Sequence, residues 1–152
     1  MMTQPSVERL IELIRKQLTE VVGPALPEDG PRSAVGMIDH LLQTIQTRAE
    51  NEIDWMTKQI ADITDLAERA VTLGDVSPRV SDAIGASKAA TTGSLTASRV
   101  TADYARAAEI LSLILEETVT GDSATAHEAR SLLDREANWG VQVVGDFVLV
   151  AP

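Results

Sequence analysis

A long helical pattern of apolar and polar positions fills residues 37–73, which contain neither glycine nor proline. Its apolar positions recur every three or four residues: Ile38, Leu42, Ile45, Ala49, Ile53, Met56, Ile60, Ile63, Ala67 and Ala70. The mean step is about 3.6 residues, so the pattern predicts one helix on the order of 55 Å long. Two consecutive four-residue steps, Ile45 to Ala49 to Ile53, favour a straight bundle helix over a heptad coiled coil.

Shorter runs with the same periodicity predict four further helices. They cover residues 5–22, a segment that begins at Ser77-Pro78, residues 95–120 and residues 124–138. Proline in a first turn marks the start of two of them, at Pro5 and Pro78. Gly23-Pro24 is expected to end the first helix sharply.

Residues 83–98 form an unusual stretch of small side chains in which Lys88 is the only charge. Small residues recur at every fourth position, which on a helix gives a smooth face that allows close backbone approach. Because Gly, Ser and Thr form helices weakly, the stretch is also compatible with a flexible linker. We favour an ordered helix with a break near Thr92-Gly93.

The last twelve residues change character. Val141 to Val144 and Phe147 to Val150 are β-branched or apolar runs on either side of Gly145-Asp146, a dipeptide that suits a type II′ turn. Gly140 is placed to end the preceding helix. The sequence therefore predicts an all-α fold, an antiparallel bundle of four to five helices with one long central helix and a short C-terminal β-hairpin. The helical bundle would cover residues 1–140, and the hairpin, 141–152, would dock on the bundle or on a partner.

Composition narrows the classes of partner. The 23 acidic residues outnumber the 13 basic ones, which gives a net charge of −10 and argues against nucleic acid and anionic membrane surfaces as partners. Cysteine is absent, so disulfides and thiolate chemistry are excluded. No apolar run approaches the roughly 20 residues of a membrane span, and the N-terminus lacks the pattern of a signal peptide. We expect a cytoplasmic protein.

Candidate chemistry is sparse. A di-iron site in a helical bundle needs two Glu-x-x-His pairs, and neither His40 nor His127 has a glutamate three residues before it. Glu50, Glu52 and Asp54 are dense on the long helix, but a solvated acidic face explains them better than acid–base catalysis or cation binding. No nucleophile elbow or phosphate-binding loop occurs. We predict no catalytic residue, no metal ligand and no cofactor.

The predicted function is that of a non-catalytic interaction or accessory subunit, which packs its long helix or its hairpin against a second copy or an enzyme subunit. Trp139, Val143, Phe147 and Leu149 are the predicted partner-binding residues, the last two through addition of a strand to a partner's sheet. Trp139 suits a partner anchor and the edge of the core equally well. The alternative is a small helical enzyme or ligand-binding protein with a pocket between helices, lined by Tyr104, Trp55 or Trp139.

The order of parts in the first half also carries a resemblance. A first helix over residues 7–22, a proline-containing linker and the segment Arg32-Ser-Ala-Val-Gly-Met-Ile-Asp-His-Leu-Leu follow one another. This order resembles a group of small, uncharacterised, all-helical bacterial proteins encoded beside acyl-CoA dehydrogenases and aminoglycoside-phosphotransferase-like kinases. The Ala/Ser/Thr stretch and the expected hairpin depart from that group. The resemblance implies an accessory role near acyl-CoA or small-molecule metabolism and assigns no site residue.

Overall fold

The computed structural model describes residues 5–27 and 30–144. Across these two ranges the regular structure is helical and contains no strand, which confirms the all-α class. The five longer helices are α1 (Val7–Gln17), α2 (Pro31–Leu73), α3 (Pro78–Ala90), α4 (Ala97–Thr118) and α5 (Ala124–Val144). After α1 the chain continues through a π-helical stretch, Leu18–Val22, and one more turn, Gly23–Ala25. Gly23-Pro24 therefore does not stop the first helical segment where the sequence predicted.

Most helix boundaries follow from local chemistry. The Ser6 side chain accepts a hydrogen bond from the Arg9 backbone N–H at 3.3 Å and so caps the start of α1. Gly74 ends α2 with a φ of +75°, a conformation that suits glycine. Pro78 occupies the first turn of α3, as predicted. The break between α3 and α4 contains Gly93 at φ +70°, so the predicted interruption near Thr92-Gly93 is confirmed.

The chain divides into two compact units. The bundle unit is Ile53–Gly140, which comprises the second part of α2, then α3, α4 and most of α5. The described part of the N-terminal unit is 5–27 and 30–52, which contain α1 and the first part of α2, together with 141–144.

Four helices share one apolar core in the bundle unit. The buried residues of this core are Ile63, Leu66, Ala67, Val80, Ile84, Ala107, Ile110, Leu111, Ile114, Ala129 and Leu132. Their spacing of three and four residues on each helix is what a bundle helix needs to keep one stripe inward. Two ion pairs, Arg69 to Glu128 and Arg135 to Asp62, run between α2 and α5 in opposite order along the chain. These two helices are therefore antiparallel.

α1 and the first part of α2 form an antiparallel helical hairpin in the N-terminal unit. Ile11 and Val35 are buried, and Leu42 is half-buried. The backbone of Gly23 lies so close to Val35 that a side chain at position 23 would contact it. Burial here is slight compared with the bundle unit, where eleven residues share the core.

The prediction that a C-terminal β-hairpin begins with a strand at Val141 is wrong. Val141 to Val144 are the last turn of α5, and Gly140 lies inside that helix and does not end it. The buried and half-buried positions of α5 continue as Leu132, Glu136, Trp139 and Val143, in steps of four, three and four. This helical stripe outweighs the weak strand preference of valine. The predicted second strand, with Phe147 and Leu149, lies outside the described residues.

Candidate functional site

Three aromatic residues that the sequence singled out meet in the bundle unit. Trp55 on α2 stacks on Trp139 of α5 with ring centroids 5.2 Å apart and an interplanar angle of 10°. Tyr104 on α4 lies against Trp55 at 5.4 Å with a tilt of 54°. All three side chains are half-buried. The rings contact one another at distances typical of favourable aromatic pairs, so they join three helices.

One member of the aromatic cluster contacts a carboxylate, and the same helices carry three further buried polar groups. Tyr104 hydrogen-bonds the carboxylate of Glu136, and burial together with that bond raises the pKa of the phenol well above its ordinary value. Asp103, next in sequence, is buried and pairs with Arg106 one turn along α4. Gln59 on α2 is only 5% exposed, and among the described residues its Oε1 has no hydrogen-bond partner. The Nε of Arg106 is also buried without a partner there.

The cluster changes how Trp139 is interpreted. Its ring is stacked within its own bundle unit, which favours an edge-of-core role over that of a free anchor. Val143 follows one turn later on the same face of α5 and is half-buried. Phe147 and Leu149, the other two predicted partner-binding residues, lie outside the described residues. The two ring contacts of the cluster join α2, α4 and α5.

The two histidines considered for chemistry belong to different units of the chain. Nδ1 of His127 is 3.1 Å from the Ser123 carbonyl oxygen at the start of α5, while His40 lies in the N-terminal unit. Glu52 pairs with Arg48 one turn away, as expected of a surface helix face. Within the ranges 5–27 and 30–144, no three His, Asp or Glu side chains gather as a metal site. No helix in those ranges is both long and apolar enough to cross a bilayer.

A groove of about 290 Å³ lies between α2, α3 and α4 of the bundle unit. Its apolar lining is Ile60, Ile84 and Ile110, and its polar lining is Thr64, Ser87, Lys88 and Thr91. The ammonium of Lys88 pairs with Glu68 on α2. None of the three clustered aromatic residues lines the groove.

The N-terminal unit exposes a surface that the sequence did not identify. Eight large apolar side chains of α1 and α2 are 44–60% exposed, and Leu13 and Met37 among them project away from the neighbouring helix at 100° per residue. The other six are Val7, Leu10 and Ile14 of α1, and Ile38, Leu41 and Ile45 of α2. We call these six residues the apolar face. Val7, Leu10, Ile11 and Ile14 recur at helical spacing and form one apolar stripe on α1, of which only Ile11 is buried. The sequence signal for this exposed surface is the apolar stripe of α1, which is wider than one neighbouring helix can cover.

An ion pair shows which side of the helical hairpin is polar and which is apolar. Arg15 donates to both carboxylate oxygens of Asp39, at 2.8 and 3.2 Å, and also to Gln46. At 100° per residue, Arg15 projects to one side of the buried Ile11, and Leu10 and Ile14 project to the other. On α2, Asp39 and Gln46 flank Val35 on the side of the ion pair, with Ile38 and Ile45 opposite. The apolar flanks of both helices therefore lie on the same side of the hairpin, away from Arg15.

Comparison with known proteins returns no match to a family model, to a curated protein or to a solved structure.

Proposed function

We propose that this chain is a non-catalytic interaction subunit of the cytoplasm that binds another protein chain through its apolar face. One observation carries the proposal: six large apolar side chains of α1 and α2 are about half exposed on one side of the helical hairpin. Isolated exposed apolar residues are ordinary, but a contiguous set on two adjacent helices is typical of a surface that another molecule covers.

The size of the face supports association. Six half-exposed aliphatic side chains offer on the order of 500 Å² of apolar surface, at roughly 80 Å² each. At about 25 cal/mol per Å², covering this area contributes on the order of 12 kcal/mol before the entropic cost of association, which is of similar size. The expected complex is therefore reversible.

The charged groups of the bundle unit support a structural role. Asp62 pairs with Lys58 and Arg135, while Arg69 pairs with Glu128. Glu117 accepts hydrogen bonds from the Ser77 backbone N–H and hydroxyl, both at 2.6 Å, and so ties the start of α3 to the end of α4. Because these charged groups join one helix to another, their role is to stabilise the fold. The accessory role implied by the resemblance of the first half is compatible with such a subunit.

The test is the size of the complex that contains this chain in an extract of its native host. Three versions are compared: the wild type, Leu41→Lys on the apolar face, and Leu133→Lys as control. Leu133 is 47% exposed, like the face residues, but lies on α5 in the bundle unit. We expect the wild type and the control to migrate as species larger than 16.3 kDa, and Leu41→Lys to migrate as a single chain. A Leu41→Lys variant that still enters the larger species contradicts the proposal.

A second candidate function is favoured by the groove near Lys88. Three isoleucines and a row of hydroxyl and ammonium groups suit a small molecule with an apolar body and an anionic head. Its volume of about 290 Å³ is at the lower end of known ligand sites, so the ligand would be short. This candidate keeps the predicted alternative of a ligand-binding protein and moves its site away from the aromatic cluster.

Hexanoate is a suitable probe for the groove. Titration followed by backbone amide NMR is expected to shift resonances of Thr64, Ser87 and Thr91 in the wild type and to leave them unchanged in Lys88→Met. Glu68→Gln serves as a matched control, because it frees Lys88 from its ion pair and should strengthen binding. Equal shifts in Lys88→Met and the wild type would remove the argument for an anion site.

A further inference from the structure

We propose that the partner of the apolar face is the same face on a second copy of this chain, so that two helical hairpins close into one four-helix bundle. This inference rests on the proposed function, because it names the occupant of the same surface. It is supported by the geometry of the hairpin, by the area of the face and by the distribution of charge.

The geometry of the hairpin requires a second layer. Helices are stable in water when their apolar stripe is covered by another layer of structure. In the N-terminal unit the Arg15–Asp39 side of the hairpin is closed by polar side chains, while the opposite side presents Leu10 and Ile14 beside Ile38 and Ile45. Two such hairpins related by a two-fold axis would each supply the layer that the other lacks.

The area of the face matches what a stable dimer needs. A standard interface buries about 800 Å² on each partner, and homodimer interfaces are about 65% apolar. The apolar part of such an interface is therefore on the order of 500 Å² per copy, which equals the area that the six residues offer. The remainder would come from the polar rim of both helices.

The charge of the two helices that carry the apolar face permits a like partner. Val7–Gln17 and residues 31–52 contain five basic and five acidic residues, although the N-terminal unit as a whole, residues 1–52 and 141–152, has five basic and nine acidic residues and a net charge of −4. The bundle unit, residues 53–140, contains eight basic and fourteen acidic residues, a net charge of −6. Two copies that meet through these two helices therefore avoid strong repulsion at the contact.

The first experiment measures the mass of the purified full-length chain by light scattering over a range of concentrations. We expect a mass of twice 16.3 kDa for the wild type and for Leu133→Lys. Ile14→Lys and Ile45→Glu, one on each helix of the face, should each raise the dimer dissociation constant by at least about 30-fold. Circular dichroism of each variant checks that its helix content equals that of the wild type.

Cross-linking gives an independent measurement. Because the sequence contains no cysteine, a single introduced cysteine reports on one position only. Ile14→Cys and Ile45→Cys, mixed and treated with a short bis-maleimide, should form covalent dimers in high yield. Leu133→Cys, with similar exposure, should stay monomeric under the same conditions.

Two results would overturn the second-copy inference, and they affect the proposed function differently. A monomeric chain that binds an apolar dye, with binding lost in Ile14→Lys, would mean that the face is open and awaits a different protein. The inference would then fail while the interaction function stands. A monomer that binds the dye only after deletion of residues 145–152 would mean that the chain covers its own face, and both proposals would fail.

Discussion

At the scale of single residues, the bundle unit tunes two ionisable groups in opposite directions. Tyr104 loses solvent to the aromatic cluster and hydrogen-bonds a carboxylate, so its pKa rises. Asp62 lies on the surface between Lys58 and Arg135 at 2.7 and 2.9 Å, and these two partners lower its pKa. Loss of solvent is the main cause of the raised pKa of Tyr104, and charged hydrogen bonds are the main cause of the lowered pKa of Asp62. Each shift makes a separate contribution to stability at an extreme of pH.

Tyr104 should ionise at a lower pH in the unfolded chain than in the folded protein. The ordinary pKa of tyrosine is about 10, and the folded value is higher, so the neutral phenol stabilises the fold below pH 10. This contribution to stability is lost as the pH rises from the pKa of tyrosine in the unfolded chain through the higher pKa of Tyr104 in the folded protein. At about pH 10.5 the folded protein should show little tyrosinate absorbance, and addition of urea should release it.

Because the sequence contains one tyrosine, the absorbance has a single source, and Tyr104→Phe supplies the blank. Glu136→Gln should lower the midpoint toward the ordinary value, since the carboxylate contributes to the shift. Identical ionisation curves with and without urea would contradict the burial of this phenol.

Loss of the Asp62 carboxylate should remove part of the acid sensitivity of the protein. Its folded pKa lies below that of the unfolded chain, about 3.9, so its stabilisation is present above that value and disappears as the pH falls through the folded pKa. Between pH 7 and about pH 3, wild-type stability should fall by roughly 0.5–1 kcal/mol more than that of Asp62→Asn. Urea unfolding at both pH values measures the difference. Lys58→Met, which removes the first partner and keeps the carboxylate, should give a pH dependence between those of the wild type and Asp62→Asn.

At the scale of elements, α5 separates two kinds of sequence signal. Gly140 and the following valines are local signals, and they predicted a helix end and a strand. The positions of Leu132, Trp139 and Val143 are a longer-range signal, and they continue a helical stripe through Gly140. The longer pattern prevails because packing along a helix contributes more than the propensity of one residue, about 1 kcal/mol for glycine.

Substitution of Gly140 tests the extension of α5. A Cβ at this position meets no atom within 4 Å, and its backbone is helical, so Gly140→Ala should raise the free energy of unfolding by about 0.5–1 kcal/mol. Gly74→Ala is the matched control: it has equal space, but its φ of +75° should make the same change cost about 1 kcal/mol. Urea titration compares both with the wild type. A destabilised Gly140→Ala would argue that residue 140 is not helical.

Other elements were predictable because their signals agree. Residues 37–73 lack a helix breaker, Pro78 follows a serine, and Gly93 interrupts a stretch of weak helix formers, so the start of α3 and the break before α4 followed from sequence. The meeting of Trp55 with Trp139 could not be predicted, because they are 84 positions apart and only the packing of α2 against α5 joins them. The groove near Lys88 likewise depends on how three helices pack.

At the scale of the molecule, the two units differ in how completely they bury their apolar residues. The bundle unit places eleven residues in one core contributed by four helices and carries most of the acidic charge. The described part of the N-terminal unit has two longer helices with little burial, and these two helices carry equal numbers of acidic and basic residues. Periodicity identifies the apolar side of each helix in both units. It does not reveal whether a neighbouring helix covers that side, which is why the stripe of α1 could be predicted and its exposure could not.

The rate of backbone amide hydrogen exchange should depend on protein concentration in the N-terminal unit and not in the bundle unit. If two copies pair through the apolar face, mass action stabilises the N-terminal unit as the concentration rises. Backbone amides of residues 10–17 should then exchange more slowly in concentrated than in dilute samples, while amides of residues 107–114 in the bundle core should not change. In Ile14→Lys the slow exchange at residues 10–17 should be lost at every concentration. Equal exchange of residues 10–17 in dilute and concentrated wild type would mean that the hairpin gains no protection from a second copy.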